Sequence, residues 1–139
     1  MSQIQAPAHR GWTVEGFEQF WSKPDLALVP GVRQMVTPDI VGYWPQPFGI
    51  VRGAAPYIAV IETLLTGLPD FRLEVGESAS NGDFHFVRWI ARGTGPDGAF
   101  ETTGIDRLRL RDGLVCENYV VSGHPFFAWA ADRVLVPAS

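Results

Sequence analysis

The stretch from Ala99 to Gly123 carries the side chains best suited to proton chemistry, because an aspartate stands there among apolar residues. From Gly104 to Arg111 the residues alternate, which predicts a strand with its arginines on one face. Asp106 then shares the opposite face with Leu108 and Leu110. An aspartate in an apolar cavity can reach a pKa near neutrality, since burial disfavours its charged form. Asp106 is therefore the candidate catalytic residue, acting as general acid or base on a carbonyl compound or on water.

The pairing of this strand with the next one brings in further candidates. Asp112-Gly113 predicts a tight two-residue turn, because both central positions of a type I′ turn need positive φ. Counting back from that turn sets Asp106 opposite Tyr119 and places Glu117 on the same face. Both side chains are thus expected to face a cavity and contact a ligand, although an ion pair with an arginine is the simpler role for Glu117.

The preceding hairpin places two more residues beside Asp106. If the Gly95–Gly98 loop has four residues, counting back sets His85 and Trp89 on the same face. Both side chains can then contact a ligand, and His85 or Tyr119 can donate a hydrogen bond to it. The alternative for His85 is a structural histidine of the core. The alternative for Asp106 is a buried carboxylate bonded to Tyr119 or to the backbone.

Four aromatic residues outside these hairpins are candidate ligand contacts. They stand on the first helix, at the end of a short strand, in the loop after it and at the start of the last helix: Trp21, Trp44, Phe48 and Phe126. The loops that carry the last three are expected to border the mouth of a pocket, and core packing is the alternative.

The periodicity of the chain changes from helical to strand-like near Pro69. Apolar spacing predicts a helix that Thr13 caps and Pro24 ends, and another from Gly53 to a left-handed cap at Gly67. One short helical turn is expected over residues 25–29, a strand over 40–44 and a proline-stiffened loop over 45–52. Four meandering strands follow, which predicts an α+β fold, a cone-shaped curved antiparallel sheet with the N-terminal helices packed across its concave face.

Composition limits the classes of function. The 139 residues are expected to form a single domain, 1–139, with residues 1–11 as a loose arm. A net charge of −4 argues against nucleic-acid and anionic-membrane binding. A single cysteine, Cys116, excludes an internal disulfide, and the histidines lack metal-ligand spacing, so neither metal nor cofactor is expected. With no secretory leader or long apolar run apparent, the expected location is cytoplasmic.

A homodimer is expected from the strand around Phe84 to Arg92. This strand is apolar on both faces, so Phe84, Phe86 and Ile90 would be left in water on the outer face of a monomer. An exposed apolar patch of that kind usually marks an interface.

The runs RGAAPYIAVIETLLTGLPDFRLEV, FHFVRWIARGTGPDG and TTGIDRLRLRDGLVCENYVV, in that order, resemble the SnoaL-like branch of the nuclear transport factor 2-like superfamily. The resemblance implies a cone-shaped barrel, commonly a homodimer, with a ligand inside the cone. Relatives include polyketide cyclases, ketosteroid isomerases, epoxide hydrolases and many proteins without catalysis, so the fold alone does not define the function.

The chain departs from the family's catalytic patterns. Gly95 stands where SnoaL-like cyclases often have a histidine, and Ser122-Gly123 stands where they have an aspartate. The first helix offers no tyrosine at the isomerase donor position, and Gly104 takes the place of the epoxide hydrolase arginine. The expected function is the binding of a small, largely apolar or carbonyl-containing molecule, with cofactor-independent acid/base chemistry at Asp106. The alternative is a binding or dimerisation module without turnover.

Overall fold

The computed structural model describes residues 11–135, so the arm expected over residues 1–11 lies outside the described part except for Gly11. Three α-helices, one 3-10 helix and six strands make up the described fold. In chain order they are α1 (Val14–Ser22), the 3-10 helix (Leu26–Gln34), β1 (Val36–Trp44), β2 (Gly49–Arg52), α2 (Ala54–Gly67), β3 (Arg72–Asn81), β4 (Phe84–Gly95), β5 (Gly98–Arg111), β6 (Leu114–Val121) and α3 (Phe126–Leu135).

The six strands form one open sheet in the order β2-β1-β6-β5-β4-β3. Neighbouring strands are antiparallel except for β1 and β6, which run parallel. Register irregularities in the β1–β6, β3–β4 and β5–β6 pairs mark the places where the sheet bends. The predicted α+β fold with helices across a curved sheet is confirmed, and the parallel pair is the part that the alternating pattern did not predict.

Two N-terminal segments differ from their predictions. The expected short turn over residues 25–29 is a longer 3-10 helix that continues past Pro30-Gly31, since the fully buried Val29 anchors it to the core. The expected loop over residues 45–52 ends in a strand, because the turn after Trp44 returns the chain along β1. β1 itself begins at Val36, ahead of the predicted residues 40–44.

Gly67 is the last residue of α2, and the prediction that it caps the helix in a left-handed conformation is wrong. A Cβ built at this position would lie 2.5 Å from the backbone oxygen of Ala130 on α3. Gly67 is therefore required for the close approach of α2 and α3.

No helix in residues 11–135 is both long enough and apolar enough to cross a membrane.

Candidate active site

The register of β5 against its two neighbours determines which side chains reach the interior. The predicted β4–β5 register is confirmed, with Val87 opposite Asp106. On the other side, the tight turn pairs Leu110 with Val115 as predicted, but a β-bulge at Cys116 then sets Arg109 opposite Glu117. The bulge adds one residue to β6, so every later side chain of that strand faces the opposite way from the prediction.

The predicted inward placement of Glu117 and Tyr119 is therefore wrong. Glu117 is on the outer face and forms an ion pair with Arg107, the role named as the simpler one. Tyr119 also lies outside, stacked on Tyr43 with ring centroids 4.4 Å apart. Asn118 takes the inner position, opposite Leu108 and fully buried.

A cavity of about 200 Å³ lies between the concave face of the sheet and the helices. Its wall is mostly aromatic and aliphatic: Trp12, Phe17, Phe20, Trp21, Leu28, Val32, Met35, Val36, Trp44, Tyr57, Ile61, Leu64, Phe71, Leu73, Trp89, Leu108, Val115, Val120, Phe126 and Phe127. The lining residues that are exposed to solvent are Thr13, Leu28 and Gly31. The opening therefore lies between the start of α1 and the 3-10 helix.

Asp106 supplies the carboxyl group of the cavity wall and is only 7% exposed. The indole Nε1 of Trp89 donates a hydrogen bond to its Oδ1 at 2.8 Å, and the Nδ2 of Asn118 donates to its Oδ2 at 3.2 Å. Both donors are neutral. Their two bonds leave other lone-pair positions of the carboxylate for a ligand, since a carboxylate has roughly four.

Tyr57 on α2 extends this group of polar side chains. Its hydroxyl donates a hydrogen bond to Oδ1 of Asn118 at 2.6 Å. Because that oxygen is the acceptor for Tyr57, the amide nitrogen of Asn118 is the atom that faces Asp106. Trp89, Asp106, Asn118 and Tyr57 thus form one buried chain of hydrogen bonds, which we call the polar corner.

Burial is the main cause of the ionisation behaviour of the polar corner. Removal from water raises the pKa of Asp106 from 3.8 to about 6, and the hydrogen bonds from Trp89 and Asn118 limit this rise. Burial also raises the pKa of the Tyr57 hydroxyl well above its ordinary value, and the nearby Asp106 charge adds to the effect. At neutral pH Asp106 is therefore mainly a carboxylate and can accept a proton, whereas Tyr57 remains a neutral donor.

Two glycines make room for the rings of the polar corner. Gly104 lies opposite Trp89, and a Cβ there would come within 2.2 Å of Cη2 of the indole. Gly42 lies beside Asn118 on β1, and a Cβ there would come within 2.9 Å of Cδ1 of Tyr57. Because both positions lack a side chain, the Trp89 ring can reach Asp106 on the neighbouring strand, and the Tyr57 ring can approach the sheet from α2 to reach Asn118.

Gly104→Ala is expected to lower the free energy of unfolding by about 1–3 kcal/mol, the usual effect of overpacking a core, because the Trp89 ring must move. Denaturant unfolding measures this effect. Gly123→Ala is the matched control, since a Cβ there meets nothing within 4 Å. Equal effects of the two substitutions would refute the account of Gly104.

The remaining predicted contacts divide into two groups. Trp21, Trp44, Trp89 and Phe126 line the cavity; Phe48 and His85 do not. Phe48 packs against Phe127 outside the cavity, with ring centroids 6.2 Å apart. His85 is on the inner face of β4, but its ring packs against Trp12, and Trp12 is the residue that lines the cavity. The expected mouth at the loops of Trp44, Phe48 and Phe126 is also wrong, because Trp44 and Phe126 are buried.

Tyr57 and Asn118 are not among the site residues predicted from the sequence. Nothing in the residues around Tyr57 indicates a polar partner 61 residues away in the sequence. Asn118 was not predicted, because without the bulge the register of β6 places its side chain on the outer face. In residues 11–135 no group of three or more potential metal-ligating side chains comes together.

An open curved sheet that encloses an apolar cavity under helices is the nuclear transport factor 2-like fold, and solved nuclear transport factor 2-like proteins share it. The chain belongs to the SnoaL-like domain family, whose model matches residues 14–118. The family assignment made from the sequence is thus confirmed. Membership in this family suggests the binding of a small molecule.

Solved structures agree with this assignment. A proposed SnoaL-like polyketide cyclase from Jannaschia sp. CCS1 is 18% identical, over 97% of this chain and 100% of that chain, with a TM-score of 0.70. IdmH, a proposed polyketide cyclase from Streptomyces antibioticus, is 24% identical over 84% and 94%, with a TM-score of 0.66. TerC, co-crystallised with polyporic acid, is 19% identical over 75% and 83%, with a TM-score of 0.63. These likenesses show the fold alone. No curated protein sequence matches the chain.

Proposed function

We propose that the cavity binds a small, largely apolar molecule and that Asp106 exchanges a proton with it as general base or acid. The observation that carries the proposal is the placement of this carboxyl in an apolar cavity, where its pKa is about 6. A general base is most effective when its pKa lies near the working pH. The hydrogen-bond donors around Asp106 are uncharged, so they fix the orientation of its carboxylate without neutralising the negative charge that a general base needs.

The size of the cavity limits the ligand. An apolar cavity of about 150 Å³ binds benzene, so about 200 Å³ accommodates one ring with short substituents or two small fused rings. Proton transfer on an enolisable carbonyl compound of this size is the reaction that Asp106 can support. The similarity to IdmH, a proposed polyketide cyclase, and to TerC, co-crystallised with polyporic acid, supports an organic small molecule as the ligand.

A binding module without turnover is the second candidate. At Gly95, where SnoaL-like cyclases often have a histidine, a Cβ would lie 2.3 Å from Cζ3 of Trp129. The Trp129 ring therefore occupies the space that a histidine at this position would need, and neither Gly95 nor Trp129 is among the residues that line the cavity with Asp106. Asp106 could in that case orient a ligand without reacting with it.

A ligand that copurifies with the protein would test cavity binding. Native mass spectrometry of freshly purified protein should show an added mass that corresponds to a neutral organic compound, lost on denaturation. Phe126→Ala removes an aromatic ring from the cavity wall, so it enlarges the cavity and should change which compounds are retained. Repeated failure to detect any bound compound, together with no shift in melting temperature in a library of one-ring and two-ring ketones, would contradict the proposal.

A homodimer through the outer face of the sheet is the proposed assembly. Four apolar side chains are strongly exposed on neighbouring strands of this face: Phe86 (40%), Ile105 (43%), Tyr119 (43%) and Val121 (57%). The Arg107 guanidinium lies among them, over the rings of Phe84 and Tyr119. A second copy of the chain would cover this patch.

Val121→Lys is expected to convert the dimer to a monomer, since it places a charge at the most exposed apolar residue of the patch. Light scattering coupled to size exclusion at micromolar concentration measures the mass. Thr66→Lys, on the exposed side of α2, is the matched control and should leave the dimer intact. A wild-type protein that is monomeric under these conditions would rule out the interface.

A further inference from the structure

The hydrogen bonds of the polar corner all run towards Asp106. Tyr57 donates to Asn118, Asn118 donates to Asp106, and Trp89 donates to Asp106 from the other side. The direction is defined, because an indole N–H can only donate and an ionised carboxylate can only accept. The group that this series of hydrogen bonds presents to the cavity is therefore the Asp106 carboxylate, whose oxygens are hydrogen-bond acceptors.

The cavity also lacks a positive group that could hold an anion. No arginine, lysine or histidine is among the lining residues that the structure describes. Arg107, next to Asp106 in sequence, points to the outer face and pairs with Glu117. His85 packs on Trp12, and Nδ1 of His124 accepts a hydrogen bond from the backbone N–H of Phe126.

An anionic ligand would therefore face the Asp106 carboxylate without a counter-charge. Tyr57 is the other titratable side chain of the wall, and it is neutral or negative, never positive. In a buried site the repulsion between two like charges a few ångströms apart is large, since little water screens it. A hydroxyl group, by contrast, can donate to the free lone pairs of Asp106.

We propose that the ligand is an uncharged ring compound whose hydroxyl group, of the phenol or enol type, donates a hydrogen bond to Asp106, and that the cavity excludes anions. This inference rests on the proposed binding of a small molecule in the cavity and names its chemical class. The hydroxyl proton lies where Asp106 can accept it.

Three one-ring probes test the inference at pH 7.5: phenol, toluene and benzoate. Phenol and toluene have nearly the same shape and differ in the hydrogen-bond donor, whereas benzoate adds a negative charge. The indole N–H signal of Trp89 in a ¹H–¹⁵N spectrum reports on the site, because that group bonds to Asp106. Phenol should bind about 10-fold more tightly than toluene, and benzoate at least ~30-fold more weakly than phenol.

The pH adds a second comparison that needs no variant. At pH 5 Asp106 is mainly protonated, so the preference for phenol over toluene and the exclusion of benzoate should both shrink. Toluene affinity should not change. Asp106→Asn should likewise improve benzoate binding at least ~10-fold.

Equal binding of phenol and toluene, or benzoate binding as tight as that of phenol, would overturn the inference about the ligand class while cavity binding stands. If none of the three probes binds and the Trp89 signal stays unchanged throughout, the proposed function fails together with the inference.

Discussion

Asp106→Asn should lower the turnover of a ketone without a hydroxyl group roughly 10²–10⁴-fold while the affinity for that ketone changes little, because asparagine keeps the shape of the side chain but cannot accept the proton. A suitable reaction is the exchange of α-protons of 2-indanone in D₂O, followed by ¹H NMR. This small bicyclic ketone matches the cavity of about 200 Å³. In the wild type the protein-dependent rate should rise with pH through about 6, since the carboxylate is the active form and its pKa is about 6.

Asp97→Asn is the matched control for this experiment. Asp97 is an exposed aspartate in the turn between β4 and β5, away from the cavity lining, so its replacement should leave the exchange rate unchanged. Absence of protein-dependent exchange in the wild type, together with loss of ligand affinity in the Asp106 variant, would favour the binding module. A lower melting temperature with unchanged exchange would leave Asp106 a structural role only.

The stability of the protein should also depend on Asp106, and in an unusual direction for a carboxyl group. Its pKa is 3.8 in the unfolded chain and about 6 in the folded protein, so the folded state binds the proton more tightly. This contribution to stability is fully present below the unfolded pKa and is lost as pH rises through about 6. Between pH 4 and pH 8 the loss should amount to about 2–3 kcal/mol.

Denaturant unfolding of the wild type and of Asp106→Asn at both pH values isolates this contribution. Asp39 and Asp70 have lowered pKa values, caused mainly by side-chain hydrogen bonds from Arg111 and Thr94, and their contributions run the opposite way. They cancel in the difference between the two proteins. Relative to wild type, the variant should be about 2–3 kcal/mol more stable at pH 8 than at pH 4, and a constant difference would contradict the raised pKa of Asp106.

Local sequence patterns were sufficient to predict most helices and strands. They also predicted the register of β4 against β5, but not that of β5 against β6. Asp106 was placed inward by strict alternation with Leu108, and the Gly95–Gly98 turn set Trp89 opposite Gly104. These features depend on neighbours in sequence, so a single chain reveals them. Trp89 was predicted to lie on the same inner face as Asp106, and the structure adds that the two side chains share a hydrogen bond.

The rest of the site depends on features that have no local signature. A β-bulge adds one residue to β6 and reverses the faces of the residues after it. The sequence around Cys116 gives no sign of this extra residue, because it is compatible with either register. The bulge replaced Glu117 and Tyr119 by Asn118 at the site. The contact of Tyr57 with Asn118 joins α2 to β6 and is a consequence of packing, which no periodicity can indicate.

The ionisation of Asp106 inside the cavity tests the central claim most directly. In protein labelled with ¹³C at aspartate carboxyl carbons, the signal that disappears in Asp106→Asn identifies this residue, and its shift can be followed from pH 3 to pH 8. The account predicts a pKa of about 6 that moves when phenol is added, because the ligand contacts the carboxyl group. A pKa near 3.8 that is insensitive to any ligand would contradict it.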